Sequence, residues 1–494
     1  MITIESILLL VAVLLFLSVI SSKISDRFAI PVLLLFLGIG ILFGSEGIGG
    51  IPFDNPPLAK SIGLVALIFI IFSGGLDTGW PDTKPIFWQG IVLSTFGVLL
   101  TAIITGFFAV YILDFSVWEG MLLGSIVSST DAAVVFSVLR SKRISLKKPL
   151  KPLLEFESGS NDPMALFLTI GFISLLTYKA TSILSFIPRF FMDMGIGALV
   201  GYLMTKVIIF IVKRLKLDYE GLYPVAMISL VLFTYCIAVL LRGNGILAVY
   251  LTGLGFGQAE FPNKNYITKF NDGLSWICQI VMFVTLGLLV FPSHLVPLAG
   301  PGLLITFLLM VVARPVSVFL CLQPFKMNIR EKTLISWVGL RGSVPIILAT
   351  FPFTANIAHA EIYFNIVFFV VIASVFIQGT SIPFVSKILK LDAPYVEKKN
   401  YPLELVKTEE IDADLVDVFV PNNSEVAGRK IGELDFCQQC LVVLISRDNR
   451  FIVPSPATII EGGDTLLVLS TDKDIRLLQD VLVKIKTPTQ TKET

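Results

Sequence analysis

Charge is scarce in this sequence. Only 15% of its 494 residues are Asp, Glu, Lys or Arg, against about 25% in an ordinary soluble domain. The formal net charge is +1, which leaves no basic surface for phosphate and argues against nucleic acid as a partner. Cysteine is sparse too. Cys236, Cys278, Cys321, Cys437 and Cys440 are scattered, without the spacing of a secreted disulfide framework. Cys437-Gln-Gln-Cys440 could suggest metal or redox chemistry, but zinc needs about four ligands and no second pair lies nearby. The chain lacks the G-x-x-x-x-G-K-[ST] loop that a primary pump would need and any G-x-G-x-x-G fingerprint. It also lacks a T-V-G-Y-G filter, which argues against a potassium channel. No constellation for covalent catalysis stands out, so no catalytic residue is named and a transporter rather than an enzyme is expected.

What is abundant is apolar sequence, with 55% of residues hydrophobic. A membrane-crossing helix needs about 20 mostly apolar residues. On that rule spans are expected near 4–21, 29–44, 58–75, 88–112, 117–139, 156–178, 188–213, 222–241, 245–258, 270–291, 296–322, 333–353 and 362–389. The first lacks the basic n-region and cleavage site of a signal peptide and is expected to be retained. Loop charges test the assignment. With the N-terminus outside, the cytoplasmic side holds Lys23, Arg27, Lys84, Arg140, Lys142, Arg143, Lys147, Lys148 and Lys151. It also holds Lys213, Arg214, Lys216, Lys264, Lys269, Lys326, Arg330, Lys332, Lys387 and Lys390. The opposite side keeps Lys60, Lys179, Arg189 and Arg242. That positive-inside bias predicts an odd number of spans, N-terminus out and C-terminus in.

Composition changes after Leu391. The predicted organisation is a membrane domain at 1–391, a charged, Pro-punctuated linker at 392–403, a soluble domain at 404–486 and a polar tail at 487–494. Period-two alternation in Leu415–Val420, Leu441–Ile445 and Thr465–Leu469 predicts strands, and helical patterns lie near Gly428–Leu434 and Asp472–Val483. The fold class expected is an all-α polytopic membrane protein of about thirteen helices plus a small α+β cytosolic domain. So small a domain holds one small core, which predicts pairing with its copy in a dimer.

Ionisable residues inside apolar spans are expensive and mark function by default. Two clusters qualify. In Ser128-Ser-Thr-Asp-Ala-Ala133, small polar residues interrupt the fifth span, and such residues compete for backbone groups and weaken a helix. A break at membrane depth is tolerated when it lines a cavity, where half-helix ends can surround an ion. Asp131 could cap a half-helix or touch the ion directly. In Glu157-Ser-Gly-Ser-Asn-Asp-Pro163, at the expected head of the sixth span, Glu157 and Asn161 share a face while Asp162 points elsewhere. Asp162 could hold a proton or an alkali cation, with Ser158, Thr130 and backbone carbonyls supplying oxygen donors. Alternatively it caps the start of the span before Pro163. Proton and cation competing for one charge would constitute antiport.

The buried bases are Arg314 and Arg341. Each must find a partner, and buried Arg favours carboxylates, so Glu157 is expected to pair with Arg314. Gly339-Leu-Arg-Gly-Ser-Val-Pro345 marks a second broken helix, in the twelfth span. Arg341 would offset the negative ends of half-helices and Asp131 the positive ends. Breaks in the fifth and twelfth spans point to an inverted repeat.

Thr130-Asp131, Glu157-Ser-x-x-Asn161-Asp162, Ala313-Arg314 and Gly339-Leu-Arg-Gly342, in this order, resemble the cation:proton antiporter 1 family, its NhaP-type and sodium/proton-exchanger branch. The resemblance implies a thirteen-helix protomer with inverted repeats and two broken crossing helices. It further implies a homodimer built on spans one to three and seven to ten, and alternating access by the remaining six. It implies that Asp162 carries the cation or proton, that Ser158 and Thr130 coordinate, and that Asn161 and Asp131 order the site. An Asn-Asp pair resembles the electroneutral branch. Some exchangers add an acidic residue on the third span, where this chain has Phe72-Ser73. Val426–Leu434, Leu444–Asp448 and Glu461–Leu466 resemble the C-terminal half of an RCK, or TrkA-C type, regulatory domain without its nucleotide-binding half. The combination is similar to bacterial inner-membrane potassium/proton antiporters serving pH homeostasis. A regulatory nucleotide or other small ligand is then expected at the soluble domain, and K⁺ and H⁺ as transported ions. The alternatives are a sodium/proton antiporter and an RCK-regulated cation channel.

Overall fold

A backbone in hydrocarbon must satisfy its own polar groups, so apolar runs of this length fold as helices. The computed structural model describes residues 4–28, 31–177, 183–214, 219, 221–259, 261, 264–394, 414–421, 424, 426–433, 440–447 and 450–470. These belong to two compact units, Met1–Glu397 and Lys398–Thr494.

In the first unit the helices are α1 (Ile4–Phe28), α2 (Val32–Phe43), α3 (Pro56–Asp77), α4 (Trp80–Leu113), α5 (Val117–Ile126) and α6 (Ala132–Ser141). There follow α7 (Leu150–Thr177), α8 (Phe186–Arg214), α9 (Leu222–Leu240), α10 (Gly245–Gln258) and α11 (Lys264–Leu288). The series ends with α12 (Pro292–Cys321), α13 (Ile329–Trp337), α14 (Ser343–Thr354) and α15 (Ala360–Ile388). Among the described residues, eight helices are long and apolar enough to cross a membrane: α3, α4, α7, α8, α9, α11, α12 and α15. The starts obey local rules. Asn55 caps α3 before a proline, and Ser116 with Glu119 and Asn328 with Glu331 form capping boxes for α5 and α13. Small residues let backbones approach closely: an added Cβ on Gly75 would lie 2.6 Å from the Tyr250 carbonyl, at the crossing of α3 with α10.

Three of the long helices contain a π turn, at Leu93–Gly97 in α4, Leu309–Ala313 in α12 and Val375–Gly379 in α15. The helices that carry the first two pack together just beyond those turns, where the Thr101 hydroxyl donates to Ser317 across 3.0 Å. One boundary differs from the sequence reading in a way that matters. The Glu157–Pro163 cluster lies in the middle of α7, with Pro163 inside the helix, rather than at its head. Asp162 therefore does not cap a helix start. Apolarity alone excluded Lys151 and Glu155 from the span, but a helix end that leaves the apolar layer carries such residues freely.

Two three-residue strands, β1 (Ile144–Leu146) and β2 (Asp392–Pro394), pair antiparallel within this unit. The second unit holds β3 (Asp414–Phe419), β4 (Leu441–Arg447), β5 (Arg450–Ile452) and β6 (Thr465–Ser470), ordered β3-β6-β4-β5 and antiparallel throughout. Val418, Val420, Ile445, Leu466 and Val468 form its core. Arg447 clamps the turn before β6, with Nε and Nη2 each 2.8 Å from the Asp464 carboxylate. Instead of a helix near Gly428–Leu434 there is a 3₁₀ turn at Ile431–Glu433. The Ile431 and Gly432 amides are drawn off to the Thr458 and Pro456 carbonyls, so they cannot close a helical ladder. The expected helix near 472–483, the linker beyond Pro394, Cys437 and the tail lie outside the described residues.

Candidate functional site

Two interrupted helices meet at the centre of the membrane unit. The first stops at Ile126 and restarts as α6 at Ala132, and the second stops at Trp337 and restarts as α14 at Ser343. The breaks bond to each other, the Asp131 amide donating to the Leu340 carbonyl across 2.8 Å. Gly342 permits the crossing, because a Cβ there would collide with the Asp131 carboxylate.

The two half-helix ends at the first break each have a charge beside them. The Asp131 side chain caps α6, accepting from the Ala133 amide at 2.9 Å and the Val134 amide at 3.4 Å. At the opposite end Arg341 Nη1 donates to the Ser128 and Ser129 carbonyls, both at 2.7 Å. A cation there answers the negative end of α5. From α15, Gln378 donates to the Trp337 carbonyl at 2.8 Å and the Ser374 hydroxyl accepts from the Arg341 amide at 3.1 Å.

Against the first break lies the polar face of α7. Ser158 Oγ donates to the Thr130 carbonyl at 3.1 Å and accepts from the Ala132 amide at 3.0 Å. Asn161 Nδ2 donates to Thr130 Oγ1 at 2.6 Å. Ser129 Oγ donates to the Asp162 carboxylate. Thus Asp162, Ser158, Thr130 and Asn161 come together, with Asp131 bound into the cap one residue beyond. Glu157 faces away, where its carboxylate stands 2.6 Å from Arg314 Nη2, the pair almost fully buried at 1% and 3% side-chain exposure. Gly339 makes room for that arginine, since a Cβ there would lie 2.7 Å from Arg314 Nε.

A cavity of about 770 Å³ is lined by Ser129, Thr130, Ser158, Asp162 and Gly342. Its walls include Ser73, Tyr250, Asp272, Ser275 and Gln279, and it reaches Asp77, Arg140, Ser141 and Glu155 at the helix ends. Those ends carry the lysine- and arginine-rich loops. On α11, Asp272, Ser275 and Gln279 form a polar stripe at i, i+3 and i+7 facing the cavity.

The sequence reading missed Ser129 as a partner of Asp162, and it missed Asp272, which stands beside Ser73. Asp272 could have been found as an acid two turns inside a helix whose start was drawn too late. Ser129 carries no such signal, since an unwound segment has no periodicity to aim a hydroxyl.

Comparison with known proteins agrees with this geometry. The family model described as "Sodium/hydrogen exchanger, transmembrane" matches residues 10–388. This chain belongs to the sodium/hydrogen exchanger family. Residues 415–483 match a TrkA-C domain. The chain is 37% identical over 477 residues to the K(+)/H(+) antiporter NhaP of Alkalimonas amylolytica, covering 96% of this chain and 83% of that protein. It is 39% identical over 489 residues to the K(+)/H(+) antiporter NhaP2 of Shewanella oneidensis, covering 97% and 83%. Among solved structures, the sodium proton antiporter MjNhaP1 from Methanocaldococcus jannaschii at pH 8 matches with a TM-score of 0.67 at 26% identity. The match covers 78% of this chain and 99% of the other. The exchanger membrane unit thus carries a soluble TrkA-C domain at its C-terminal side.

Proposed function

We propose that this exchanger trades K⁺ for H⁺, one for one, with both competing for Asp162. The observation that carries the reading is the Asp162 carboxylate in the cavity wall, where the Thr130 carbonyl and the Ser129 and Ser158 hydroxyls converge. A carboxylate this deep needs a partner for its charge. A proton supplies one by covalent bonding, an alkali cation by coordination, and the second arrival displaces the first. Oxygen donors suit a hard cation. Glu157 is held by Arg314 and Asp131 by its cap, so one exchangeable charge per protomer remains in this cluster, which supports electroneutral exchange.

Relatives named as K(+)/H(+) antiporters over nearly the whole chain support K⁺ as substrate. Sodium is the second reading, supported by the 28% identity over 344 residues with the Na(+)/H(+) antiporter 1 of Methanocaldococcus jannaschii. No covalent chemistry is needed, so the protein is a transporter rather than an enzyme.

In our reading the eight long helices, α1, the shorter α2 and α10, and the two broken pairs α5/α6 and α13/α14 make thirteen crossings. The π turns in α4 and α12 and the breaks in the following helices support an inverted repeat of α4–α7 and α12–α15. The protomer sits in the bacterial inner membrane, N-terminus outside, as a homodimer, and its cavity opens to the cytoplasm. The membrane domain spans 1–391 and a 392–403 linker leads to the 404–486 regulatory domain, which answers a small ligand such as a nucleotide.

Reconstituted protein tests the transport reading. A trapped pH dye is expected to dequench on addition of K⁺, with Na⁺, Rb⁺ and Li⁺ titrated in parallel, and Asp162→Asn to abolish the signal in folded protein. Exchange retained by that variant would end the role of Asp162, and current without obligatory H⁺ movement would indicate a channel.

A further inference from the structure

We infer that the β1–β2 pair is the clasp through which the soluble domain acts on the ion site. This rests on the TrkA-C domain being regulatory. β1 follows directly from α6, the half-helix whose first turn forms one wall of the site, and β2 follows directly from α15 and leads into the soluble domain. The register sets Ile144 opposite Pro394, Ser145 opposite Ala393 and Leu146 opposite Asp392. Beyond it, the Lys147 amide donates to the Leu391 carbonyl at 3.0 Å and Lys147 Nζ to the Lys390 carbonyl at 2.8 Å.

Hydrogen-bonded pairs alternate along an antiparallel ladder. The Lys147 amide's bond to Leu391 sets the phase of that alternation, which makes Ser145–Ala393 the hydrogen-bonded pair of the strands. Pro394, which has no N–H, then falls where no donor is required. Leu146 and Leu391 are buried, at 5% and 8% exposure. Both strands are entered through a left-handed non-glycine residue, Arg143 at φ 52° and Lys390 at φ 59°. A Cβ makes that conformation unfavourable, so two together mark a geometry that the surroundings hold.

The mechanical consequence lies in α6. Ten residues of helix make a rod about 15 Å long, with the clasp at its far end. At its near end the Ala132 amide donates to Ser158 and Asp131 caps the first turn. A pull or release on β2 therefore shifts α6, and with it the Thr130–Ser158 contact. The chain leaves the membrane unit attached to the site-bearing helices, not to a passive wall, so the soluble domain can set the rate of the step that moves the site.

A double-mutant cycle in the full chain tests this, read as K⁺-driven dye dequenching in proteoliposomes. Leu466→Asp places a charge in the soluble core and disables that domain. Ala393→Pro removes the donor of the central clasp pair. Leu466→Asp is expected to change the maximal rate or the apparent KM for K⁺ by about fivefold, the lower end of typical coupling, and to have no further effect in the Ala393→Pro background. An undiminished effect in that background would overturn the clasp while leaving regulation by the domain intact. No effect of Leu466→Asp in the native chain would overturn both. Should Ala393→Pro fail to fold, amide exchange decides instead: Leu466→Asp must alter protection across 141–147 and 392–394, and unaltered protection there beside altered transport contradicts the clasp.

Discussion

Replacing Glu157 by Gln isolates the structural half of the site from its transporting half. Glu157 and Arg314 stand 2.6 Å apart and are almost wholly buried. Taking the charge from one strands the other in a medium that cannot solvate it, a loss of about 3–5 kcal/mol for pairs of this kind. Gln keeps the volume and one acceptor, which places the expected loss toward the lower figure. In a thermal ramp at fixed scan rate on purified protein, we expect Glu157→Gln to unfold about 3–4 °C below the native chain. Adding Arg314→Met should recover most of that difference, because an apolar residue of similar reach needs no counter-charge. Exchange per folded molecule should survive in both, since Asp162 and its neighbours are untouched. A single variant melting with the native chain, or a double variant no better than the single, would refute the buried-pair reasoning. A folded Glu157→Gln protein that had lost exchange would move Glu157 into the transporting machinery.

Gly342→Ala should prevent the two breaks from crossing, giving protein that misfolds or transports poorly, checked by monodispersity and dequenching; normal transport would show that the crossing has slack. Asn161→Asp loses the donor to Thr130 and adds a second acid beside Asp162, so exchange should become sensitive to an imposed membrane potential; indifference to potential would separate charge count from stoichiometry. At the surface, Glu46 accepts hydrogen bonds from the Ser293 hydroxyl and, at 2.7 Å, the Ser293 amide. These hold its carboxyl below the ordinary value. A depressed carboxylate stabilises the fold above its unfolded pKa of about 4.3 and stops doing so as pH falls through the folded value. Native chain and Glu46→Gln should therefore differ in stability at neutral pH and converge in acid, and a difference that persisted at low pH would contradict this.

The sequence makes the site's outline readable because membranes penalise exceptions. Small polar residues in the fifth and twelfth spans stand out where Leu or Ile is expected, and both helices break there. Arg314 and Glu157 could be paired on the rule that neither is affordable alone, and the structure sets them in contact. Where no such penalty applies, pattern fails. The start of α7 was drawn too late because charged residues at a helix end cost nothing outside the apolar layer, and this misread Asp162 as a possible cap. Asp272 was lost to the same rule at α11. Ser129 was invisible because unwound backbone has no period. The clasp was invisible because each strand has three residues, and contacts such as Lys147 with Lys390 span 243 positions.

The measurement that bears most directly on competition at Asp162 is proton release from purified protein in weakly buffered detergent solution. Addition of K⁺ should free up to one H⁺ per protomer, less as pH rises and the site empties of protons beforehand, and Asp162→Asn should free none. K⁺ binding without proton release, or equal release from the variant, would contradict the account.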